Sequence, residues 1–325
     1  MNETLGTNVL SGLITEAQNA STSAPHTRPG FDEPTSYFEK PAASVGTINL
    51  NASYLPRLLP KDGNLSSSPL DVIQTKGGER LTLSAAILQL SRVASVGSHI
   101  IVRADPNQAL PTGREGSISL VSVAKYFNTV EPSSFISIAD DTDITASLLP
   151  VSRDEIVWSD SLNKAVRFEI KRKDIKQIGN DVFVGEIMLS LIMGLARAAD
   201  EILLSRIIES LPAEFDPSLA AAQGLRFPEL SAMIGTNGTG AFVTANGELV
   251  AKPNISGWNG GVHAELTGDT DQTIIGAFNR SAVAIHENIS ITCERRNLQG
   301  DLVVTAYANM VALLPDPSKF WTVAG

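Results

Sequence analysis

The residue types able to do chemistry are present in this chain, but they are scattered. The histidines His26, His99, His263 and His286 stand far apart, and none is paired at i, i+4 around a glutamate as on a zinc-hydrolase helix. There is no G-x-S-x-G elbow for a serine nucleophile and no G-x-x-x-x-G-K-[ST] phosphate loop. The run from Gly235 through Gly238 to Gly240 could cradle an anion with backbone N–H groups. Without a following lysine and a long helix, it reads as a turn. Asp140, Asp141 and Asp143, and separately Asp269 and Asp271, could offer oxygens to a hard cation. Neither set has the fixed glycine and late bidentate glutamate of a calcium loop, so both read as solvated loop acids. Cys293 is the single cysteine, which excludes an intrachain disulfide and a cysteine zinc site. It reads as a buried, inert thiol. No catalytic, cofactor-binding or metal-binding residue is assigned, and the expectation is a protein that is not an enzyme.

Charge concentrates instead in two neighbouring places. Arg153, Asp154, Glu155 and Asp160 surround Trp158, and Lys171, Arg172, Lys173 and Lys176 follow shortly after. A phosphate grip is one use for such a basic run. Ion pairing between subunits is the favoured one, because the expected hairpin tip carries Asp154, Glu155 and Asp160, while 35 acidic against 25 basic residues and a formal charge of −10 argue against a general grip on phosphate. A tryptophan among charges is the kind of side chain that anchors an interface.

These groups need elements to position them. The chain has 325 residues, 43% hydrophobic and 18% charged, enough for a substantial core, but only 6% aromatic. That core must be aliphatic. Residues 2–69 are rich in Ser, Thr, Asn and Gly and are interrupted by Pro25, Pro29, Pro34, Pro41, Pro56 and Pro60. They predict an extended arm, assigned to 1–80, that lies along a partner. Met1 to Ala20 lacks the basic and apolar regions of a secretory signal. The apolar run Ile187 to Ala196 falls short of the about 20 residues a membrane span needs, so no membrane association is expected.

Leu83, Ile87, Leu90 and Ala94 recur at helical spacing and predict a helix over Leu81 to Ala94. His99 to Val102, Ser117 to Val123 and Ser134 to Ile138 read as short strands. Asp140 to Lys173 reads as a long hairpin. In it Ile144 to Leu149 ascends, Pro150 to Asn163 forms a charged tip, and Ala165 to Ile170 returns. A hairpin with so polar a tip is built to reach outside its own domain. Asp181 to Ser210 is the strongest element, a helix of about 45 Å with Ile187, Leu191, Leu195, Ala199, Leu203 and Ile207 in one apolar row. Asn180 or Asp181 is placed to cap it, and Pro212 to stop it. Beyond lie a helical Pro228 to Ile234 and a hairpin of Ala241 to Thr244 with Leu249 to Lys252 around Asn246-Gly247. Strands at Ile274 to Phe278, Val283 to His286 and Ile289 to Glu294 follow, and a long strand from Asp301 to Leu314 closes the chain.

This order of arm, hairpin, spine helix, mixed inserted region and closing strand resembles the major capsid proteins of tailed phages. Their HK97-like α+β fold is shared by encapsulin shells. Ala165 to Lys173 running into Asp181 to Ile208, and the ending GDLVVTAYANMVALLPDPSKFWTVAG, carry the likeness over about residues 100–325. Asn309-Met310 stand where many relatives have an arginine. The resemblance implies an E-loop hairpin within 81–175 and a P-domain holding the spine helix at 176–214. It also implies an A-domain at 215–294 and a last P-domain strand at 295–325. It implies pentamers and hexamers in an icosahedral shell enclosing double-stranded DNA without sequence-specific binding, with scaffold, portal and decoration proteins as further partners. The setting would be the virion, assembled in the host cytoplasm. Arg153, Asp154, Glu155, Trp158, Lys171, Arg172 and Lys173 are then expected at contacts between subunits. The alternatives are an encapsulin compartment and an enzyme whose site escapes motif reading.

Overall fold

The computed structural model describes residues 5–19, 43–55, 81–104, 109–111, 118–120, 125–138, 143–158, 162–237, 241–243, 249–251, 262–296 and 300–323. In chain order the elements begin with helix α1 (Leu5–Asn19), strand β1 (Ala43–Asn49) and helices α2 (Leu83–Leu90) and α3 (Arg92–Ser95). Strands β2 (His99–Arg103), β3 (Ala109–Pro111), β4 (Ile118–Leu120), β5 (Tyr126–Val130), β6 (Val151–Glu155) and β7 (Leu162–Ile170) follow. Then come helices α4 (Arg172–Ile178), α5 (Asn180–Glu209) and α6 (Pro217–Ala222). The remaining strands are β8 (Ser231–Ile234), β9 (Ala241–Val243), β10 (Leu249–Ala251), β11 (His263–Leu266), β12 (Thr273–Gly276), β13 (Ala282–His286), β14 (Asn288–Arg295), β15 (Leu302–Leu313) and β16 (Phe320–Val323).

Helix α5 is the spine that its apolar row predicts. Ile187, Leu191, Leu195, Ala199, Leu203 and Ile207 are all buried, and they face β13, β15, α1 and α2. The helix begins at Gly179 (φ 91°), which serves as its cap with no side-chain hydrogen bond, in place of the expected Asn180 or Asp181. It ends at Ser210, followed by Leu211 in a left-handed conformation (φ 53°) and Pro212. Val182–Glu209 is long and apolar enough to cross a membrane, with a mean hydropathy of 1.7 and half of its apolar stretch buried. This exceeds the Ile187 to Ala196 run because Arg197, Asp200 and Glu201 are diluted by aliphatic neighbours. All three charges find partners in this chain: Asp269 with Arg197, Ser91 with Asp200, and Lys164 with Glu201. That satisfaction is what a core helix requires.

The main sheet packed on α5 has the order β1-β14-β15-β13-β2, with β7 on the other side of β15. The long strand β15, expected to close the chain but followed by β16, is therefore central, pairing antiparallel with β14, β13 and β7. Val303 and Thr305, on the face away from the alternating Leu302, Val304 and Ala306, are buried as well. The ion pairs Arg167–Glu294 and Arg296–Glu169 join β7 to β14 and the residue after it, and their aliphatic stems shelter these two residues.

A smaller sheet, β11-β8-β12-β16, has its own core of Phe215, Leu225, Leu230, Val262, Ile275, Trp321 and Val323. The Phe215 and Trp321 rings meet edge-on at 5.9 Å. Phe278 and Phe320 stack edge-on at 5.3 Å and belong to the main core, which joins the two sheets.

Several expectations change. The extended arm of 1–80 is contradicted where it is described. Residues 5–19 form a helix whose Leu10, Leu13, Ile14 and Ala17 sit in the main core, and residues 43–49 form an edge strand on β14. Gly46 makes this close approach possible, because a Cβ there would lie 2.9 Å from Leu13 Cδ1. The helix expected over Leu81 to Ala94 is split at Ser91, whose extended backbone ends α2 while its hydroxyl caps α3. Pro228 to Ile234 is a 3₁₀ turn and a strand, not a helix. The boundary at 294 is also misplaced, since β13 and β14 belong to the main sheet whereas β16 belongs to the smaller one. The Ala241–Val243 and Leu249–Ala251 strands pair as expected, and their Asn246-Gly247 turn lies outside the described residues.

Candidate functional site: the projecting hairpin and its root

The expected pairing of Ile144 to Leu149 with Ala165 to Ile170 is not formed, and a different pair of strands makes the hairpin. Val151–Glu155, read from sequence as part of a charged tip, is a strand paired antiparallel with Tyr126–Val130. The returning strand β7 pairs with β15 instead of with Ile144 to Leu149, which is not a strand. The projecting element is thus β5–β6, with the described residues 131–138 and 143–150 beyond it. Hydrophobic alternation cannot choose between two partners for one strand, and burial on the sheet decided it.

Beyond the β5–β6 ladder the apolar side chains lose cover. Phe135 is 101% exposed and Leu148 94%, and Ile136, Ile138, Ile144 and Leu149 are exposed as well. Single exposed apolar residues are ordinary, but a run of six on one projection is not. Burial of one such side chain is worth about 1.5–3 kcal/mol, so this surface strongly favours being covered.

The root is firmly held. Glu131 N–H donates to the carbonyl of Pro150 at 2.9 Å, closing the ladder. Oδ2 of Asp154 accepts the backbone N–H of Leu314 at 2.7 Å, which ties the hairpin to the end of β15. The Glu131 carboxylate pairs with Arg280 and lies 3.5 Å from Lys319 Nζ. Arg280 also reaches Glu229 at 3.3 Å. Lys319 is only 3% exposed and donates to the carbonyl of Gln223 at 2.7 Å. Burial pushes the Glu229 carboxyl upward, but the Arg226 N–H and the Arg280 and Arg226 guanidinium groups outweigh it and hold the group below its usual range. The hairpin root, the 3₁₀ turn before β13 and the smaller sheet therefore share one ionic cluster. Sequence reading missed Glu131, Arg280 and Lys319, because nothing in a linear pattern brings 131, 280 and 319 together.

Of the residues expected at subunit contacts, Arg153 and Glu155 are exposed on β6, and Asp154 is half-buried with the structural bond just described. Trp158 is not an exposed tip residue. Its ring packs edge-on against His286 at 5.3 Å, beside Ile156, Ala282 and Leu313. Lys171, Arg172 and Lys173 are exposed at the start of α4 and Lys176 in its last turn, and Arg172 N–H donates to Asp301 at 3.1 Å. Asp160 lies outside the described residues.

The scattered chemistry stays scattered. His99 packs on Phe127 at 5.7 Å, His263 Nε2 lies 3.1 Å from the carbonyl of Ser95, and His286 Nδ1 accepts from Asn288 N–H at 3.2 Å. His26, Asp140 and Asp141 lie outside the described residues. Asp269 is paired with Arg197 at 2.8 Å. Among the described residues no group of three or more His, Cys, Asp or Glu could hold a metal ion. Cys293 is buried, and its thiol is pushed up to about 11 by burial, with Glu294 adding to the effect. One polar site had been overlooked, the 2% exposed Asp200 on the spine. Its carboxylate accepts from Ser91 Oγ at 2.6 Å, Arg92 N–H at 3.0 Å and Val93 N–H at 3.2 Å, binding α5 to the start of α3. A carboxylate among Ala196, Ala199, Leu203 and Leu204 was the sequence signal for it.

No protein-family model and no curated protein matches the sequence. Solved structures similar to the chain include ones from a phage, a GTA particle capsid and a virus-like particle. One, from Mycobacterium phage Che8, is 8% identical with a TM-score of 0.41, over 62% of this chain and 85% of that one. The capsid of a native GTA particle is 12% identical with a TM-score of 0.42, over 83% and 98%. A virus-like particle from Pyrococcus furiosus is 10% identical with a TM-score of 0.40, over 74% and 98%.

Proposed function

We propose that the chain is a major capsid subunit of the HK97-like type, which self-assembles through pentamers and hexamers into an icosahedral phage head. In this reading β5–β6 with residues 131–150 is the E-loop, the main sheet with α5 is the P-domain, and the smaller sheet is the A-domain. The observation that carries it is the hairpin: an anchored root with an exposed apolar projection. A surface of that kind gains stability only when a neighbour covers it, and repeating the same contact around an axis closes a ring or a shell. Double-stranded DNA would be enclosed without sequence-specific binding, which the net charge of −10 suits. Scaffold, portal and decoration proteins are the further partners of such a head, assembled in the host cytoplasm. No catalytic role is part of the proposal.

The test shortens the hairpin at its ladder. Replacing Pro132 to Leu149 by Asn-Gly between Glu131 and Pro150 uses the two-residue turn that suits an antiparallel pair. The variant is expected to keep its circular dichroism and melting profile while forming no closed particles in negative stain. Normal particles from this variant would sink the proposal. Nuclease-protected DNA inside wild-type particles purified from the native host identifies a phage head, and protein cargo alone identifies an encapsulin compartment.

A further inference from the structure

We infer that the limb Phe135 to Ile138 of one copy docks along the outer edge of β7 in a second copy, with Phe135 seated in a cavity between β7 and the spine. The inference rests on the shell reading above and names the surface that receives the hairpin. Three independent features of the receiving side point to it.

The first is a cavity of about 270 Å³ between β7, β15 and α5, walled by Val166, Phe168, Leu191, Leu195 and Tyr307. A cavity of about 150 Å³ lined by aliphatic groups already holds benzene, so this one accommodates a phenylalanine ring with room to spare. Gly194 lines it from the middle of α5, and a Cβ there would meet nothing within 4 Å. Glycine is disfavoured in a helix interior. Among the described residues no packing requires it there, and it leaves the cavity unfilled.

The second is an unfilled hydrogen-bonding edge. Among the described residues β7 pairs with β15 alone, its other side has no described strand on it, and residues 132–138 have no described strand partner. An extended limb added to an open edge gains main-chain hydrogen bonds, while alternate side chains enter pockets.

The third is charge. In the sequence the acids Asp140, Asp141 and Asp143 begin five residues after Phe135, and the cations Lys171, Arg172 and Lys173 begin five residues after Val166. Both offsets correspond to about 17 Å of extended chain. A limb running parallel to β7 with Phe135 level with Val166 therefore brings the acidic stretch beside the exposed basic run. This gives those residues an intersubunit partner different from the Asp154 and Glu155 of the first expectation.

The experiment pairs two variants that each add one cysteine to the native Cys293, Phe135→Cys and Gly194→Cys, assembled together and treated with a short bis-maleimide. Cys293 is buried, so the background is quiet. Linked dimers are expected from the mixture, and none when Gly194→Cys is replaced by Glu209→Cys, about 22 Å further along the helix. In parallel, Gly194→Leu fills the cavity and is expected to melt no lower than the wild type while its particle yield falls at least tenfold. Wild-type particles without cross-links, together with normal assembly of Gly194→Leu, overturn the docking and leave the shell reading standing. A wild-type chain that stays monomeric under all assembly conditions overturns both. Should Gly194→Leu misfold, the cross-link alone decides.

Discussion

Leu314 donates its backbone N–H to Oδ2 of Asp154 across 2.7 Å, and this bond fixes the root of the projecting hairpin to the first residue beyond β15. The hairpin is thereby aimed by the main sheet rather than by its own tip. A polar contact of this kind matters more for where an element points than for global stability.

Asp154→Ala is expected to lower unfolding free energy by about 1–2 kcal/mol, the cost of leaving the half-buried Leu314 N–H without its acceptor. Urea denaturation measures it. Limited proteolysis should cut the variant within 131–150 faster than the wild type. An unchanged cleavage rate would remove Asp154 from any role in holding the hairpin.

Asp200 makes stability depend on pH. Burial raises its folded-state value above the ordinary 3.8, against the lowering hydrogen bonds from Ser91, Arg92 and Val93. A raised carboxyl favours the folded state below its unfolded value, and that contribution is lost as pH rises through the folded value. The stability of wild type relative to Asp200→Asn is therefore expected to be greater at pH 4 than at pH 7. Chemical denaturation at the two pH values checks the sign. Asp200→Ala at neutral pH is expected to cost about 1–3 kcal/mol through three orphaned donors.

The spine tolerates little truncation. Leu203 is fully buried against the sheet, and Leu203→Ala is expected to cost about 2–5 kcal/mol by lost transfer energy and the cavity left behind. Leu211, 87% exposed and left-handed at the helix end, predicts the opposite sign. Leu211→Gly removes backbone strain with no packing to lose and is expected to stabilise by about 1 kcal/mol. Thermal melts of the two variants on opposite sides of the wild type would bear out both assignments.

Cys293 is expected to be silent toward a thiol reagent at pH 8 in the native protein, because burial holds the thiol at about 11. It should react fully in denaturant. Rapid modification of the folded protein would mean that the β1–β14 edge opens on the timescale of the reaction.

The sequence by itself determined the spine and the closing strand. A row repeated over α5 at helical spacing admits one burial face, and the apolar run from Leu302 onward admits a central strand. Leu10, Leu13, Ile14 and Ala17 follow the same spacing in α1, but the polar and proline-rich composition around them masked it, and only packing on Gly46 and β14 showed where that helix belongs. The tertiary structure alone decided the hairpin's register, because Ala165 to Ile170 can pair equally well with a neighbour in sequence or with β15, and the buried sheet wins by the area it removes from water. It alone decided the roles of Trp158 and Asp154, which turn inward, and gathered Glu131, Arg280 and Lys319 into one cluster. Periodicity reports which face of an element seeks burial. Which partner covers that face is a long-range choice, set by total burial and by the pairing of every charge left inside.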